Sequence, residues 1–422
     1  MDKLLIKNVH IIDPSQSLNC ISDIMIEDGV ISKLGKNLTV DCKTIDGSGL
    51  YASPGLVDMH VHLRDPGFTD KEDIMTGCKS AAAGGVTSLL AMPNTKPAVD
   101  TPETVKYILD KAKNADARVY VVGAITKGLK SEEMTDIPAL KEAGIIALSD
   151  DGRPVVNTKF MAAMQLADEL GLTVTAHCED LFLADGGKIN EGKVSKLLGI
   201  KGIPAAAEDT GTAREIAIAA AYGTAIHICH VSTATSVALV RDAKARGVRV
   251  TAETCPHYFT FTENELLKHD ADFRMNPPLR TETDRQAIID GLLDGTLDAI
   301  STDHAPHTPE EKADFEKSPN GSIGMETSFS ASYTALVSTG IMSLEKLIKL
   351  MSTTPAEILG INAGSLTVGS PADIMLFDSN EEWVVDENKL HGKSKNTPFK
   401  GKTLKSRVKY TICGGRIVYT AE

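Results

Sequence analysis

The sequence predicts an α/β fold, a (β/α)8 TIM-like barrel that carries a small β domain formed from both chain termini. Short β-rich runs alternate with helical patterns from about residue 55, and eight such runs precede residue 303. The two ends of the chain contain only short β-rich runs separated by glycine-rich turns. We therefore expect a small β domain at residues 1–54 and 364–422 and a barrel at residues 55–363.

The N-terminal segment has three β-rich runs, which are broken by Asp28-Gly29 and Gly47-Ser48-Gly49. The C-terminal segment repeats this pattern around Gly414-Gly415. Such sequences favour the tight turns that join neighbouring strands. Both ends can therefore pair into one sheet. The predicted terminal strands cover residues 4–12, 21–26, 30–34, 373–377, 408–412 and 416–419.

The central region predicts eight strands joined by helices. Thr283 before one helix and Gly295 after it are examples of the expected cap residues. Because periodicity cannot establish that a sheet closes, an open doubly wound sheet is also compatible with the pattern. The predicted strands cover residues 55–62, 86–92, 117–125, 144–149, 172–177, 225–230, 248–253 and 297–302. The predicted helices include residues 100–113, 159–170, 213–222, 236–246 and 284–293.

The chain is acidic, with 44 Lys and Arg against 57 Asp and Glu among 422 residues and a net charge of −13. This charge argues against nucleic acid and anionic membranes as partners, since both require clustered positive charge. No apolar run approaches the roughly 18–20 residues of a membrane span. Seven cysteines without a Cys-x-x-Cys pair suit a reduced cytosol, and the N-terminus lacks the pattern of a signal peptide. The expected location is therefore cytoplasmic.

The strongest local motif is Asp58-Met-His60-Val-His62-Leu-Arg64. Side chains alternate faces along a strand, so His60 and His62 project to the same side, about 6–7 Å apart. Two imidazoles in this arrangement can converge on one metal ion. Two unrelated histidines at a strand end are the alternative.

Four further strand ends carry metal-ligand residue types. His177 ends the fifth predicted strand, His230 the sixth and Asp303 the eighth, while Asp150-Asp151 follows the fourth. The carboxyl ends of parallel barrel strands open onto one face, where active sites of this fold gather. Histidines and carboxylates at five strand ends therefore favour a metal centre over core filling.

Four histidines and two carboxylates are too many ligands for one tetrahedral zinc ion, but they suit two ions that share a bridging carboxylate. Asp150 and Asp151 compete for the bridge, and Asp-Asp-Gly can also be a plain turn. His227 alternates with His230 and is expected to lie under a helix. No ligand role is assigned to His10, His269, His304 and His391.

Seven motifs in order resemble those of the bacterial type I dihydroorotases, which belong to the amidohydrolase superfamily. The resemblance runs through essentially the whole chain and includes the terminal pattern Gly369-Ser-Pro-Ala-Asp-Ile374. The seven motifs are His60-x-His62-x-Arg64, Met92-Pro-Asn-Thr95, Ser149-Asp-Asp-Gly152, Ala176-His-Cys-Glu-Asp180, His230-Val-Ser232, Met275-Asn-Pro-Pro-Leu-Arg280 and Thr302-Asp-His-Ala-Pro-His307.

The resemblance implies reversible zinc-dependent hydrolysis of dihydroorotate to N-carbamoyl-aspartate, a step of pyrimidine biosynthesis. It implies two zinc ions, the first bound by His60, His62 and Asp303. The second is bound by His177 and His230, and Asp151 bridges both.

The resemblance also implies the substrate-binding residues. Arg64, Asn94 and His307 would hold the substrate carboxylate, and Asn276 would contact the ring. The backbone near Asn320-Gly321 would complete the pocket. Asp303 is the expected general acid and base, and residues 305–323 are expected to form a long polar loop that acts as a lid.

Two alternatives stay open. Hydantoinases and allantoinases resemble this layout but use a carboxylated lysine as bridge at the end of the fourth strand. Here that strand end has no lysine, and Lys141 lies before the strand, which favours the dihydroorotase. The other alternative is a non-catalytic partner of aspartate transcarbamoylase, although such chains have lost metal ligands that are present here. A homodimer is expected, and association with aspartate transcarbamoylase is compatible with an active enzyme.

Overall fold

The computed structural model describes residues 3–421, and its first elements are five strands joined by tight turns. Asp28 and Gly29 both have a positive φ, 50° and 83°, in the turn between the second and third strands. The first strand pairs antiparallel with the second and parallel with the fourth and fifth. The strands are β1 (Lys3–Asp13), β2 (Leu18–Glu27), β3 (Val30–Gly35), β4 (Lys43–Asp46) and β5 (Tyr51–Pro54).

Eight parallel strands then form a second sheet in chain order. Its two edges meet where Val61 forms a parallel bridge with His304, and the backbone N–H of His62 donates to the His304 carbonyl at 2.8 Å. The sheet is therefore a closed barrel, and the open-sheet alternative is wrong. Its strands are β6 (Leu56–Val61), β7 (Val86–Ala91), β8 (Arg118–Gly123), β9 (Ile145–Leu148) and β10 (Thr173–Ala176), followed by β13 (Ile226–Ile228), β14 (Val250–Thr254) and β15 (Ala299–Ile300). The short pair β11 (Ile189–Asn190) and β12 (Gly202–Ile203) lies between β10 and β13.

The barrel strands separate their apolar side chains onto two faces, as strand alternation requires. Leu89 and Val121 join a large core that also contains helix residues such as Val105. Their neighbours Leu90 and Val122 belong to a smaller cluster inside the barrel. This inner packing fills the barrel and leaves its polar groups at the carboxyl ends of the strands.

Helices connect the strands, and all five predicted helices are present. All of their boundaries except one lie within two residues of the prediction. The helix predicted to begin at residue 213 begins at Ala205. The predicted cap residue Thr283 lies inside its helix, because the Thr281 side chain accepts the cap hydrogen bond from the Asp284 backbone N–H. Gly295 ends that helix in a left-handed conformation, as predicted. The helices are α1 (Ile74–Ala83), α2 (Pro102–Ala112), α3 (Ile137–Ala143), α4 (Thr158–Leu170), α5 (Leu181–Ala184), α6 (Lys193–Leu198), α7 (Ala205–Tyr222), α8 (Ala234–Ala245), α9 (Pro256–Thr260), α10 (Glu282–Asp294), α11 (Pro309–Lys312), α12 (Ser328–Ser332), α13 (Leu344–Ile348) and α14 (Thr354–Leu359).

The last three strands return to the N-terminal sheet. They are β16 (Ile374–Val384), β17 (Thr403–Cys413) and β18 (Arg416–Thr420). β16 pairs antiparallel with β5 and with β17, so strands from both termini form one sheet separate from the barrel, as predicted. Met1, Asp2 and Glu422 fall within the expected small domain but lie outside the described residues. Among residues 3–421, no helix combines the length and apolarity needed to cross a membrane.

Candidate metal centre and substrate pocket

Four imidazoles and two carboxylates meet at the carboxyl end of the barrel. His60 and His62 project together from the end of β6, with ring centroids 5.3 Å apart. The His62 Nε2 atom lies 3.1 Å from Asp303 Oδ1, and the His60 Nε2 atom lies 3.6 Å from the same oxygen. All three side chains are buried. This places the two histidines of the His-x-His motif beside the aspartate that follows β15.

The second pair of histidines faces the first. His177 follows β10, and His230 lies just beyond β13. The His177 Nδ1 atom is 3.0 Å from His230 Nε2, and the His230 ring centroid is 5.0 Å from that of His60. Residues far apart in the chain thus form one compact nitrogen-rich group.

Asp151 lies at the centre of this group, whereas Asp150 points away from it. Asp150 accepts hydrogen bonds from the backbone N–H groups of Ile125 and Thr126 and from the Thr126 hydroxyl. Both Asp151 carboxylate oxygens instead face imidazole nitrogens. The distances from Asp151 are 3.4 Å to His60, 3.6 Å to His62, 3.8 Å to His177 and 3.9 Å to His230.

Polar partners around the group fix which nitrogen of each ring faces its centre. Asn94 Oδ1 lies 2.8 Å from His62 Nδ1, and Glu253 Oε1 lies 3.4 Å from His60 Nδ1. Glu179 Oε2 lies 3.3 Å from His177 Nε2. An acceptor at one ring nitrogen holds the proton there and leaves the lone pair of the other nitrogen available to a metal.

The donor set fits a cation. The buried atoms His60 Nε2 and Asp151 Oδ1 have no hydrogen-bond partner within the described part of the chain, which is costly unless another group satisfies them. Three triplets of ligand atoms, each including His60, have their atoms within 4.8 Å of one another; one adds Cys229 and Glu253, and the other two consist of predicted ligands. These two are His60, His62 and Asp303, and His60, Asp151 and His230. Imidazole nitrogen and carboxylate oxygen are ligands that zinc prefers.

The central carboxylates are held in their anionic form. Burial alone would raise the pKa of Asp303, but the hydrogen bond with His62 and the charges of nearby imidazoles lower that pKa to about 2. Burial also opposes ionisation of Asp151, yet His60 and His230 lower the pKa of Asp151 well below its usual value. For Asp150, in contrast, burial raises the pKa to about 6. The carboxylates of Asp151 and Asp303 are therefore anionic.

A cavity of about 220 Å³ opens directly above this group. Every predicted site residue except His60 lines it, and Gly152 and Ala305 complete its wall. The predicted substrate-binding residues in that wall are Arg64, Asn94, Asn276, His307, Asn320 and Gly321. The structure thus brings the predicted metal ligands and the predicted substrate residues to one pocket.

One wall of the pocket is built around His307. Its Nδ1 atom lies 2.9 Å from a Glu311 carboxylate oxygen, and its Nε2 atom lies 3.0 Å from the Asn320 carbonyl. Arg64 donates from Nε to the Pro306 carbonyl at 3.2 Å. Arg64 therefore places a cation in the wall that also contains His307.

Asn276, which also lines the pocket, donates to the Glu179 carboxylate at 3.3 Å. Glu179 also contacts His177, so one buried carboxylate joins a predicted ligand to a predicted substrate residue. Asn94 has a similar double role, because its Oδ1 faces His62 and its Nδ2 donates to Asp151 at 3.2 Å.

Three residues of the site adopt left-handed backbone conformations, with φ values of 61° for Arg64, 38° for His230 and 48° for Asp303. Residues other than glycine rarely adopt this backbone conformation because it is strained. The strain persists where the surrounding structure imposes it. No local sequence pattern predicts these conformations, although they determine where the three side chains point.

Sequence reasoning missed Glu253 and misplaced His227. Ile226 and Ile228 of β13 pack towards the helices, so His227 faces the barrel interior, and the prediction that it lies under a helix is wrong. There its Nε2 atom lies 3.3 Å from Glu253. Glu253 also contacts His60 and Ser301. Its position at the predicted end of the seventh strand was the available signal.

Two other expectations concern the surroundings of the site. Lys141 lies on α3, outside the barrel, and the end of β9 carries no lysine. The expected long loop at residues 305–323 contains the short helix α11. Several hydrogen bonds hold the loop in place, such as that from Arg274 Nη1 to the Phe315 carbonyl at 2.5 Å. The role of this loop as a lid stays a prediction.

His10, His269 and His391 are not among the residues that line the pocket, and His304 is buried with its Nδ1 facing the Gly324 N–H.

The chain resembles known proteins over its full length. A family model described as Dihydro-orotase-like matches residues 50–236, and one described as Amidohydrolase family matches residues 295–419. A protein named dihydroorotase from Citrifermentans bemidjiense is 50% identical over 423 residues, which cover 99% of this chain and 100% of that protein. A dihydroorotase from Ruminiclostridium cellulolyticum is 50% identical over 98% of this chain and 97% of its own length.

Solved structures of related enzymes share the fold. A D-hydantoinase (dihydropyrimidinase) from Thermus sp. superposes with a TM-score of 0.86 at 26% identity, covering 99% of this chain and 96% of that chain. An L-hydantoinase (dihydropyrimidinase) from Arthrobacter aurescens gives a TM-score of 0.89 at 24% identity, with coverage of 100% and 96%. At this identity the second likeness concerns the fold alone.

Proposed function

This chain belongs to the dihydroorotase family, and from that premise we propose that it catalyses the reversible hydrolysis of (S)-dihydroorotate to N-carbamoyl-L-aspartate. It is a hydrolase that acts on a cyclic amide. Within the family we propose the type I subclass and a place in pyrimidine biosynthesis. The observation that carries the proposal is the convergence of His60, His62, His177, His230, Asp151 and Asp303 beneath a small polar pocket.

We propose that these six residues hold two zinc ions. His60, His62 and Asp303 would hold one, His177 and His230 the other, and Asp151 would bridge them. Zinc bound there supplies a water whose pKa is lowered to about 7 and a Lewis acid that polarises the amide carbonyl. Asn94 and Glu179 support these ligands by holding protons on the outer ring nitrogens of His62 and His177, and the Glu253 carboxylate lies 3.4 Å from His60 Nδ1.

Asp303 is the proposed general base and acid. Its carboxylate is anionic, lies at the floor of the pocket and can accept a proton from the attacking water. As the carbon–nitrogen bond of the ring breaks, the same carboxyl group returns that proton to the leaving nitrogen. Ring closure is the reverse sequence and begins with the protonated carboxyl group.

The substrate is a small anion, and Arg64 supplies a planar cation for its carboxylate. Asn94, Asn276, His307 and the backbone at Asn320 and Gly321 line the same pocket. These groups hold the ring so that its amide carbonyl faces the catalytic carboxylate. Alignment of this kind lowers the entropic part of the barrier.

Replacing Arg64 with Lys is expected to raise KM for dihydroorotate by about tenfold or more, since a point charge cannot reproduce the paired donors of a guanidinium. Steady-state kinetics at matched zinc content measures this effect. Arg118→Lys is the matched control, because Arg118 pairs with Asp373 outside the pocket. Equal KM values for wild type and Arg64→Lys would remove Arg64 from the substrate site.

Activity measured on dihydroorotate, hydantoin and allantoin tests the proposed reaction. We expect turnover of dihydroorotate to exceed that of the other two by about 100-fold or more. Hydantoin has no carboxylate, so the polar groups that bind the carboxylate of dihydroorotate are left unpaired when hydantoin is bound. Chelation should abolish this activity, and added zinc should restore it. A preference for hydantoin would contradict the proposed reaction and would indicate hydantoinase activity.

The absence of a lysine from the end of β9 favours dihydroorotase over the hydantoinase alternative. The presence of all six expected ligands argues against a non-catalytic partner of aspartate transcarbamoylase. We further propose a cytoplasmic homodimer, with association with aspartate transcarbamoylase as a possible addition. We propose two domains. Residues 1–54 and 364–422 form the small β domain, and residues 55–363 form the barrel.

A further inference from the structure

The connection between β16 and β17 extends from the terminal sheet to the pocket. We call residues 385–402 the crossing segment. The backbone N–H of Gly401 donates to the Val385 carbonyl at 2.8 Å and closes its base. Phe399 packs on Phe261 with ring centroids 5.0 Å apart, which anchors the segment on the barrel side. The segment therefore has a defined position relative to the loop that follows Asp303.

Asn396 of the crossing segment is buried, with 4% of its surface exposed. Its Oδ1 atom accepts a hydrogen bond from the backbone N–H of His307 at 3.2 Å. Its Nδ2 atom donates to the carbonyls of Ala305 at 3.2 Å and Gly321 at 3.1 Å. One side-chain amide thus uses its acceptor and both of its donors to join the two ends of the loop at residues 305–321.

Both ends of this loop form part of the pocket wall, since Ala305, His307 and Gly321 all line the cavity. The wall is tightly packed there. A Cβ atom at Gly321, whose φ is 143°, would lie 2.9 Å from both His307 Nε2 and the Ala305 carbonyl. A small displacement of either end therefore changes the position of the His307 ring.

We propose that Asn396 is a positioning residue of the substrate pocket, whose amide holds His307 and Gly321 at the places where the substrate carboxylate is bound. Asn396 does not line the cavity, so it acts through these two residues. The crossing segment thereby completes a site whose proposed metal ligands all lie on the barrel. This inference rests on the proposed function for the identity of the substrate.

Asn396→Asp is the decisive variant. It keeps the size of the side chain and the acceptor for His307, but it replaces both donated hydrogen bonds with an anion that faces two carbonyl oxygens. We expect KM for dihydroorotate to rise by about tenfold or more, with kcat changed by less than about threefold and zinc content unchanged. Asn396→Ser, which removes the amide without adding charge, is expected to change KM in the same direction.

Ser394→Ala is the matched control. Ser394 lies on the same crossing segment, is 2% exposed and donates to the Lys71 carbonyl at 2.7 Å, away from the cavity. We expect its kinetic constants to stay within about twofold of the wild type, since one neutral hydrogen bond outside the pocket is lost. Hydrogen exchange of the backbone amides at residues 305–323 supplies a readout that does not depend on substrate. Exchange there should accelerate in both Asn396 variants and stay unchanged in Ser394→Ala.

Unchanged KM and unchanged exchange in Asn396→Asp would overturn the inference. Loss of folding or of zinc in both Asn396 variants would also overturn it, because Asn396 would then support the whole fold. If the wild type does not hydrolyse dihydroorotate, the proposed function fails, while the exchange measurement still decides whether Asn396 positions the loop.

Discussion

Replacing Asp303 with Asn is expected to lower kcat per bound zinc by about 10³-fold, within the range of general acid–base catalysis. The amide has nearly the same shape as the carboxylate but cannot accept the proton of the attacking water. Asp303 is one of two anionic carboxylates that line the pocket, and its pKa is about 2. Steady-state kinetics in both directions, normalised to zinc content, measures the effect.

Asp58→Asn is the matched control for this prediction. Asp58 is also a buried aspartate near His60, but it accepts hydrogen bonds from the backbone and hydroxyl of Thr302 and does not line the cavity. We expect a loss of less than about tenfold, because an amide oxygen can keep the backbone hydrogen bonds. If Asp303→Asn kept the wild-type kcat per zinc ion, another group would have to move the proton.

Asp151→Asn is expected to weaken zinc binding by more than about 100-fold, beyond the effect typical of residues that only support a ligand. Asp151 is the carboxylate that faces all four imidazoles, and its negative charge offsets the positive charge brought by the metal. Competition with a chromogenic chelator, together with elemental analysis of the purified protein, measures the loss.

Asp150→Asn provides the comparison on the adjacent residue. Asp150 holds the backbone of Ile125 and Thr126, and an amide oxygen can still accept those hydrogen bonds. This variant should keep its zinc and lose some stability. The reverse result, with zinc lost from Asp150→Asn and kept in Asp151→Asn, would show that the other carboxylate is the bridge.

Much of the architecture could be predicted from residue order. All eight barrel strands were located because buried strands alternate with amphipathic helices and end at polar residues. Six of the eight terminal strands were located, since Asp28-Gly29 and Gly414-Gly415 mark tight turns, whereas the four-residue strands β4 and β5 were missed. These signals are local, since they depend on backbone preferences and on burial over a few neighbouring residues.

Closure of the barrel was not predictable in this way. It depends on the bridge between Val61 and His304, which lie more than 200 residues apart in the chain. The same holds for Asn396, which reaches the loop after Asp303 from the far end of the chain. Contacts between distant segments leave no periodic trace in either segment, so composition and spacing do not reveal them.

The sequence was sufficient to identify the metal-ligand residue types at five strand ends, because a parallel barrel collects those ends on one face. Only the tertiary structure placed Asp151, and not Asp150, among the imidazoles, turned His227 into the barrel and brought Glu253 to His60. The reason is that these side chains are aimed by backbone dihedral angles and packing at the strand ends, where strict alternation no longer applies. The left-handed backbone of His230 and Asp303 is the plainest case, since surrounding contacts impose it against the local preference of both residues.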